Sequence, residues 1–145
     1  MKKTQNIFSK LWTFLTVNYI FCDVFSLYHS KFLKGLLIGE IDGIEFTEPF
    51  LLYFSIIMEL PMLMILLSVI LKDRINQITN IIVAIIMIII QIGSLVTGEN
   101  SLHYVFFSCI EISTLIVIIY IVWKWLKQNN RNKSITNSLK TFNQI

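Results

Sequence analysis

PFLLYFSIIMELPMLMILLSVIL (Pro49–Leu71), KDR (Lys72–Arg74) and INQITNIIVAIIMIIIQIGSLV (Ile75–Val96) follow one another in this chain, and their reading decides its fold. The two apolar runs have 23 and 22 residues. A helix rising ~1.5 Å per residue needs about 20 mostly apolar residues to cross the hydrocarbon of a bilayer. In water so much Ile and Val would favour strands. In lipid the backbone has no water to pair with, so an isolated run of this length must satisfy its own amides as a helix. Barrel strands would be about 10 residues long and would alternate polar with apolar, which neither run does. A three-residue connection makes the two helices antiparallel neighbours.

Two further runs lie outside this pair: Leu11–Tyr28, interrupted by Asp23, and Ser101–Trp123, interrupted by Glu111. The whole chain is 55% hydrophobic and 14% charged. Soluble domains carry about 25% charged residues, so the missing charge points to lipid as the solvent. The sequence therefore predicts an all-α protein, an antiparallel four-helix transmembrane bundle over 11–126, with spans at about 11–28, 49–71, 75–96 and 101–123. A cytoplasmic N-terminal arm over 1–10 and a polar, disordered tail over 127–145 flank it. Lys2 and Lys3 before an apolar run look like the start of a signal peptide. No small-x-small cleavage site follows, and Asn18 and Asp23 lie within the run, so it reads as an uncleaved span.

Basic residues set the expected topology. Ten lie on the side of the termini and the 72–74 turn, and only Lys31 and Lys34 lie on the other. The positive-inside rule puts the ten in the cytoplasm, with both termini inside. Trp12, Trp123 and Trp125 fall near the inner ends of spans one and four, where an aromatic belt is expected. Between spans one and two, Phe32, Leu33, Leu36 and Leu37 fit a short helix lying in the interface, and Asp42-Gly43 is a turn signal. Gly35 and Gly39 form a GxxxG outside any span, which is weak evidence for helix packing. Thr47, Glu48 and Pro49 read as a helix start, and Gly98, Glu99 and Asn100 as a stop followed by a start.

Three acids carry the functional information. Asp23, Glu59 and Glu111 lie inside three different spans that contain no Lys or Arg. A charge at the bilayer centre costs at least ~2.5–3.5 kcal/mol, so such residues face the bundle interior and have a task. Glu59 lies ten residues after Pro49 and Glu111 ten after Ser101. Both are therefore roughly 15 Å deep, and Asp23, five residues before Tyr28, is about 8 Å from the outer face. Polar residues at helical spacing accompany them: Tyr19 with Asp23, Ser55 with Glu59, Gln91 with Ser94, and Tyr104 and Ser108 with Glu111. His103 stands near the outer mouth of span four. The expected site is thus an acidic pocket in the outer half, built from Asp23, Glu59, Glu111, Gln91, His103, Tyr19 and Tyr104. With three acids and at most one histidine, at least one carboxyl is expected to keep its proton at neutral pH. Two readings follow: acids that glue helices through hydrogen bonds, or acids that bind a proton, a cation or a small ligand.

Other chemistries find no support. The basic residues cluster at the ends of apolar runs, so no nucleic-acid partner is expected. There is no HExxH, P-loop, serine-nucleophile or dinucleotide motif, and no cofactor or metal is expected. A lone His103 is more often an interface residue than a ligand, and Met58, Met62 and Met64 read as packing. Cys22 and Cys109 read as small buried apolar residues, and spacing does not decide whether they form a disulfide.

Leu11-Trp12, Asn18-Tyr19, Asp23-Val24, Met58-Glu59-Leu60-Pro61, Gln91, Ser94-Leu95, Tyr104, Phe106-Phe107 and Glu111-Ile112 resemble an uncharacterised family of small bacterial four-helix membrane proteins, itself loosely similar to the DoxX-like proteins. The resemblance covers about residues 8–126 and implies a four-helix bundle in a bacterial plasma (inner) membrane but no activity. Some DoxX-like proteins partner redox enzymes; this chain has no CxxC, so no thiol-redox role carries over. Three functions follow as expectations. The first is a non-enzymatic membrane protein binding a ligand, proton or cation, as a homo-oligomer if it transports. The second is an accessory or scaffold subunit of a membrane partner protein. The third is an enzyme acting on lipid or quinone through paired carboxylates.

Overall fold

The computed structural model of the chain describes residues 2–41, 43–97 and 101–142. These form five helices and a small hairpin: α1 (Lys2–Leu27), α2 (Ser30–Ile38), β1 (Glu40–Ile41), β2 (Ile44–Glu45), α3 (Glu48–Ile70), α4 (Asp73–Thr97) and α5 (Leu102–Phe142). Three helices are long and apolar enough to cross a membrane: α3, α4 and the Leu102–Gln128 part of α5. The α1 helix reaches that standard only when joined to α2, across a bend of 89°. The expected fourth span is therefore the more polar one, because Asn18, Asp23 and the N-terminal lysines dilute its apolar run.

The long helices alternate in direction and pack through stripes that repeat every three to four residues. On α1 the buried stripe is Phe8, Trp12, Leu15, Tyr19, Cys22 and Ser26. On α5 it is Ser108, Glu111, Leu115, Ile118, Val122 and Trp125. This 3.5-residue spacing is the seam of helices that lie nearly parallel to their neighbours. On α4 the stripe runs Asn76, Asn80, Val83, Met87 and Gln91, and on α3 only Pro61, Met64 and Ser68 are buried. The α1 helix lies between α3 and α5, and α4 packs mainly on α5. The opposite faces expose large apolar side chains such as Leu52, Ile82, Ile89 and Ile116. Apolar surface so extensive is unsuited to water and suited to lipid.

Two ends can be told apart. At the turn end α3 passes into α4, and Gln5 Nε2 donates to the Leu71 carbonyl at 3.1 Å. At the hairpin end α2 stops at Gly39, whose φ of 85° is a left-handed cap. A Cβ on Gly35 would meet the Ile41 side chain at 2.6 Å, so this glycine lets the hairpin close onto α2. The GxxxG pair thus serves a helix stop and a close approach. Ile41 pairs with Ile44 across the expected turn; Asp42 lies outside the described residues. The Thr47 hydroxyl caps α3 by accepting from Phe50 N at 3.4 Å, as its sequence predicts. The Gly98–Asn100 stop signal lies outside the described residues.

Four expectations need correction. The N-terminal arm is helix from Lys2, and Phe8 is buried against Trp125 with ring centroids 5.9 Å apart. The polar tail continues as helix to Phe142, because nothing between Gln128 and that point, neither proline nor glycine, stops α5. Trp12 and Trp125 belong to the core, leaving Trp123, with Lys127 5.5 Å above its ring, on the surface. Both cysteines are free, and Cys109 is exposed.

Candidate functional site

Glu111 lies on the packed stripe of α5, one turn beyond Ser108, and is 1% exposed. Its Oε1 accepts from Asn18 Nδ2 at 3.0 Å, and the same amide reaches the Phe107 carbonyl at 3.5 Å. Its Oε2 has no partner among the described residues. Next to Asn18, Tyr19 is buried with its hydroxyl also unpartnered, and it lies within electrostatic reach of Glu111. A buried charge with one hydrogen bond and no counter-ion is costly; the neutral acid is far less so.

Hydroxyl and amide groups extend from Glu111 toward the hairpin end. Gln91 Nε2 donates to Ser108 Oγ at 2.7 Å, and Ser108 Oγ donates to the Tyr104 carbonyl at 2.8 Å. The Tyr104 hydroxyl pairs with the Ser94 hydroxyl. His103 Nε2 is 3.2 Å from Ser26 Oγ and 3.3 Å from Ser101 Oγ. Ser26 already donates to the Cys22 carbonyl at 2.9 Å, so it accepts from His103, which places a hydrogen on Nε2.

The other two acids are not buried with it. Asp23 is exposed on α1 and Glu59 is exposed on α3. At 100° per residue, Glu59 falls opposite Ser68 and the packed face of its helix. Asp23 is nonetheless within electrostatic reach of Glu111 and Tyr104, so Glu59 alone stands apart, and an enzyme using Glu59 and Glu111 as a carboxylate pair loses its pair. Among the described residues no three His, Cys, Asp or Glu side chains are placed to hold a metal ion. A groove of about 400 Å³ between α1 and α5, with Leu11, Phe14, Cys109 and Val117 in its wall, is apolar and does not include Glu111.

A second polar cluster at the turn end has no counterpart among the residues expected from sequence. Trp12 Nε1 donates to Asn80 Oδ1 at 2.7 Å. Asn80 Nδ2 donates to Asn76 Oδ1 at 2.5 Å, and Asn76 Nδ2 to the Ser68 carbonyl at 2.6 Å. The Gln77 amide and the Ser68 hydroxyl are buried beside them without partners among the described residues. The signal was present: Asn76 and Asn80 are four apart in an otherwise apolar run, so they share a face.

The family model of DUF6326, a family of unknown function, matches residues 1–132, so the chain belongs to that family. Neither curated proteins nor solved structures gave a match.

Proposed function

We propose that this DUF6326 member is a four-span protein of a bacterial plasma membrane, with both termini cytoplasmic, that carries an exchangeable proton on Glu111. The observation behind it is a fully buried carboxyl with one oxygen held by Asn18 and the other unpartnered. Such a group is stable in its neutral form and one small movement from a new partner such as the Tyr19 hydroxyl. The α1 helix is 26 residues, or about 39 Å, and lies between two helices fit to span, so it crosses with them. The charge bias puts the hairpin end outside. Ser101, His103, Tyr104 and Ser108 then line α5 between the outer surface and Glu111, which suits proton access from outside. Gaining or losing the proton changes the Asn18–Glu111 contact, which joins α1 to α5, and so couples pH to helix packing. DoxX-like kinship belongs to the same proposal and rests on sequence resemblance alone. An accessory or scaffold role is the second reading, favoured by the outward-facing Glu59.

Infrared difference spectroscopy of the reconstituted protein across pH tests it. A protonated-carboxyl signal should be present at low pH, fade as pH rises between about 5 and 9, and be missing in Glu111→Gln. A Glu111 signal that stays constant over that range would mean a sealed structural acid and would overturn the proposal.

A further inference from the structure

Asp23 is an exposed acid within electrostatic reach of the buried Glu111. The register of α1 against α5 shows where it lies. Asn18 meets Glu111 at 3.0 Å, and about two turns further along α1 Ser26 meets His103 at 3.2 Å. The Phe25 and Phe107 rings, with centroids 5.8 Å apart, pack within the same stretch. Asp23 therefore sits between two fixed points of this antiparallel pair, about 7.5 Å nearer the hairpin end than Asn18. It lies four residues, about 6 Å, before α1 ends at Leu27. On α3 no side chain from Glu48 to Leu60 is buried, so packing is loosest at the end where Asp23 lies. One turn inward from Asp23, on the same side of α1, Tyr19 is buried. Its hydroxyl has no hydrogen-bond partner among the described residues, so it can accept one proton and release another. Tyr19 is within electrostatic reach of Glu111, whose Oε2 is likewise unpartnered.

We infer that Asp23 is the group through which Glu111 exchanges its proton with the outer side, with the Tyr19 hydroxyl as the relay between them. The inference rests on an exchangeable proton at Glu111 and names the route to it. Protonated Asp23 gives its proton to the Tyr19 oxygen, while the Tyr19 O–H proton passes to Glu111 Oε2. One O–H bond breaks and one forms at each transfer. The negative charge moves from buried Glu111 to exposed Asp23, where it is less costly. The surroundings leave this route without a competing base or cation. Facing Asp23 are Cys22 on its own helix and Tyr104 and Glu111 on α5. The α4 helix has no titratable residue from Ile75 to Thr97. Gln5 lies beside Leu71, so counting outward along α1 and α3 brings Tyr53 to the level of Asp23, and Tyr53 is exposed. Lys31 and Lys34 lie further out, on α2, and His103 is nearer the hairpin end of α5.

A downward pH jump on the protein in phosphatidylcholine vesicles, followed by time-resolved infrared at the Glu111 carboxyl band, tests it. Asp23→Asn should slow proton uptake by about a hundredfold, the low end for loss of a positioned proton donor, and keep the full amplitude of the band at equilibrium. Tyr19→Phe should slow it as well. Asp23→Glu should restore a rate near that of the wild type. Azide, a small permeant weak acid, should speed Asp23→Asn and leave the wild type unchanged. Glu59→Gln should keep the wild-type rate. An Asp23→Asn protein that takes up the proton as fast as the wild type would overturn the inference. So would a slow Asp23→Asn that azide does not speed, paired with an equally slow Asp23→Glu, since that pattern marks a structural role. A Glu111 band that ignores pH in the wild type defeats the proton reading itself, whereas a responsive band indifferent to Asp23 defeats only the route.

Discussion

Glu59 and Glu111 are the same residue type at the same place in their apolar runs, ten residues after Pro49 and Ser101 respectively. Glu111 is 1% exposed and tied to Asn18 on a neighbouring helix, whereas Glu59 is exposed and unpartnered among the described residues. Depth is a matter of counting along a helix. Facing depends on phase, and the phase of each acid is set by which stripe its helix packs. On α5 the packed stripe runs through 108, 111 and 115; on α3 it runs through 61, 64 and 68, half a turn from Glu59. The energetic consequence is opposite in the two places. At Glu111 the protein must satisfy the carboxyl internally, and at Glu59 its surroundings must.

The sharpest contrast should come from chemical access. A bilayer-soluble carbodiimide, applied to protein diluted in excess lipid, should modify Glu59 and spare Glu111 when sites are read by mass spectrometry. Equal modification would erase the distinction between them. Next in size is Asn18→Leu, which strands the Glu111 carboxyl and should lower unfolding free energy in mixed micelles by about 1–3 kcal/mol, the cost of leaving a buried polar group without its partner. Asn18→Leu/Glu111→Leu should recover most of the loss, because replacing both partners removes the stranded group. Trp12→Phe, which removes the donor to Asn80, should cost about 1 kcal/mol by the same measurement. The smallest effect is expected for Glu59→Leu, within about 0.5 kcal/mol, as for a surface position. A loss there matching Asn18→Leu would mean that Glu59 is held inside its own chain after all.

Much of the fold is legible without coordinates. The span-capable runs, the Thr47 cap and the turn at Gly43 follow from length, local geometry and residue type. The candidate site is legible only in part. Glu111, Tyr19, Gln91 and Tyr104 lie on packed or hydrogen-bonded faces, and each is three or four residues from another polar residue of its own helix. Asp23 and Glu59 each have a polar residue four before them and are still exposed, Asp23 within electrostatic reach of Glu111 and Glu59 on the far side of α3. An apolar helix in lipid shows little contrast between its faces: the protein-facing and lipid-facing sides of α3 are built from the same Leu, Ile and Met. The Trp12–Asn80–Asn76 cluster escaped for a related reason, since amides in an apolar run reveal a shared face but not what lies across from it.

What the sequence by itself determined is that its apolar runs are long enough to cross a membrane, their helical state and their antiparallel order. Each of these is fixed by hydrophobic length, by short connections and by the need to pair backbone amides without water. What only the tertiary structure decided is which acid is buried and which is exposed. That depends on the rotation of each helix about its own axis, which is set by side-chain packing and interhelical hydrogen bonds such as Asn18 to Glu111. Hydrophobicity leaves that rotation free, because lipid and protein interior are almost equally apolar.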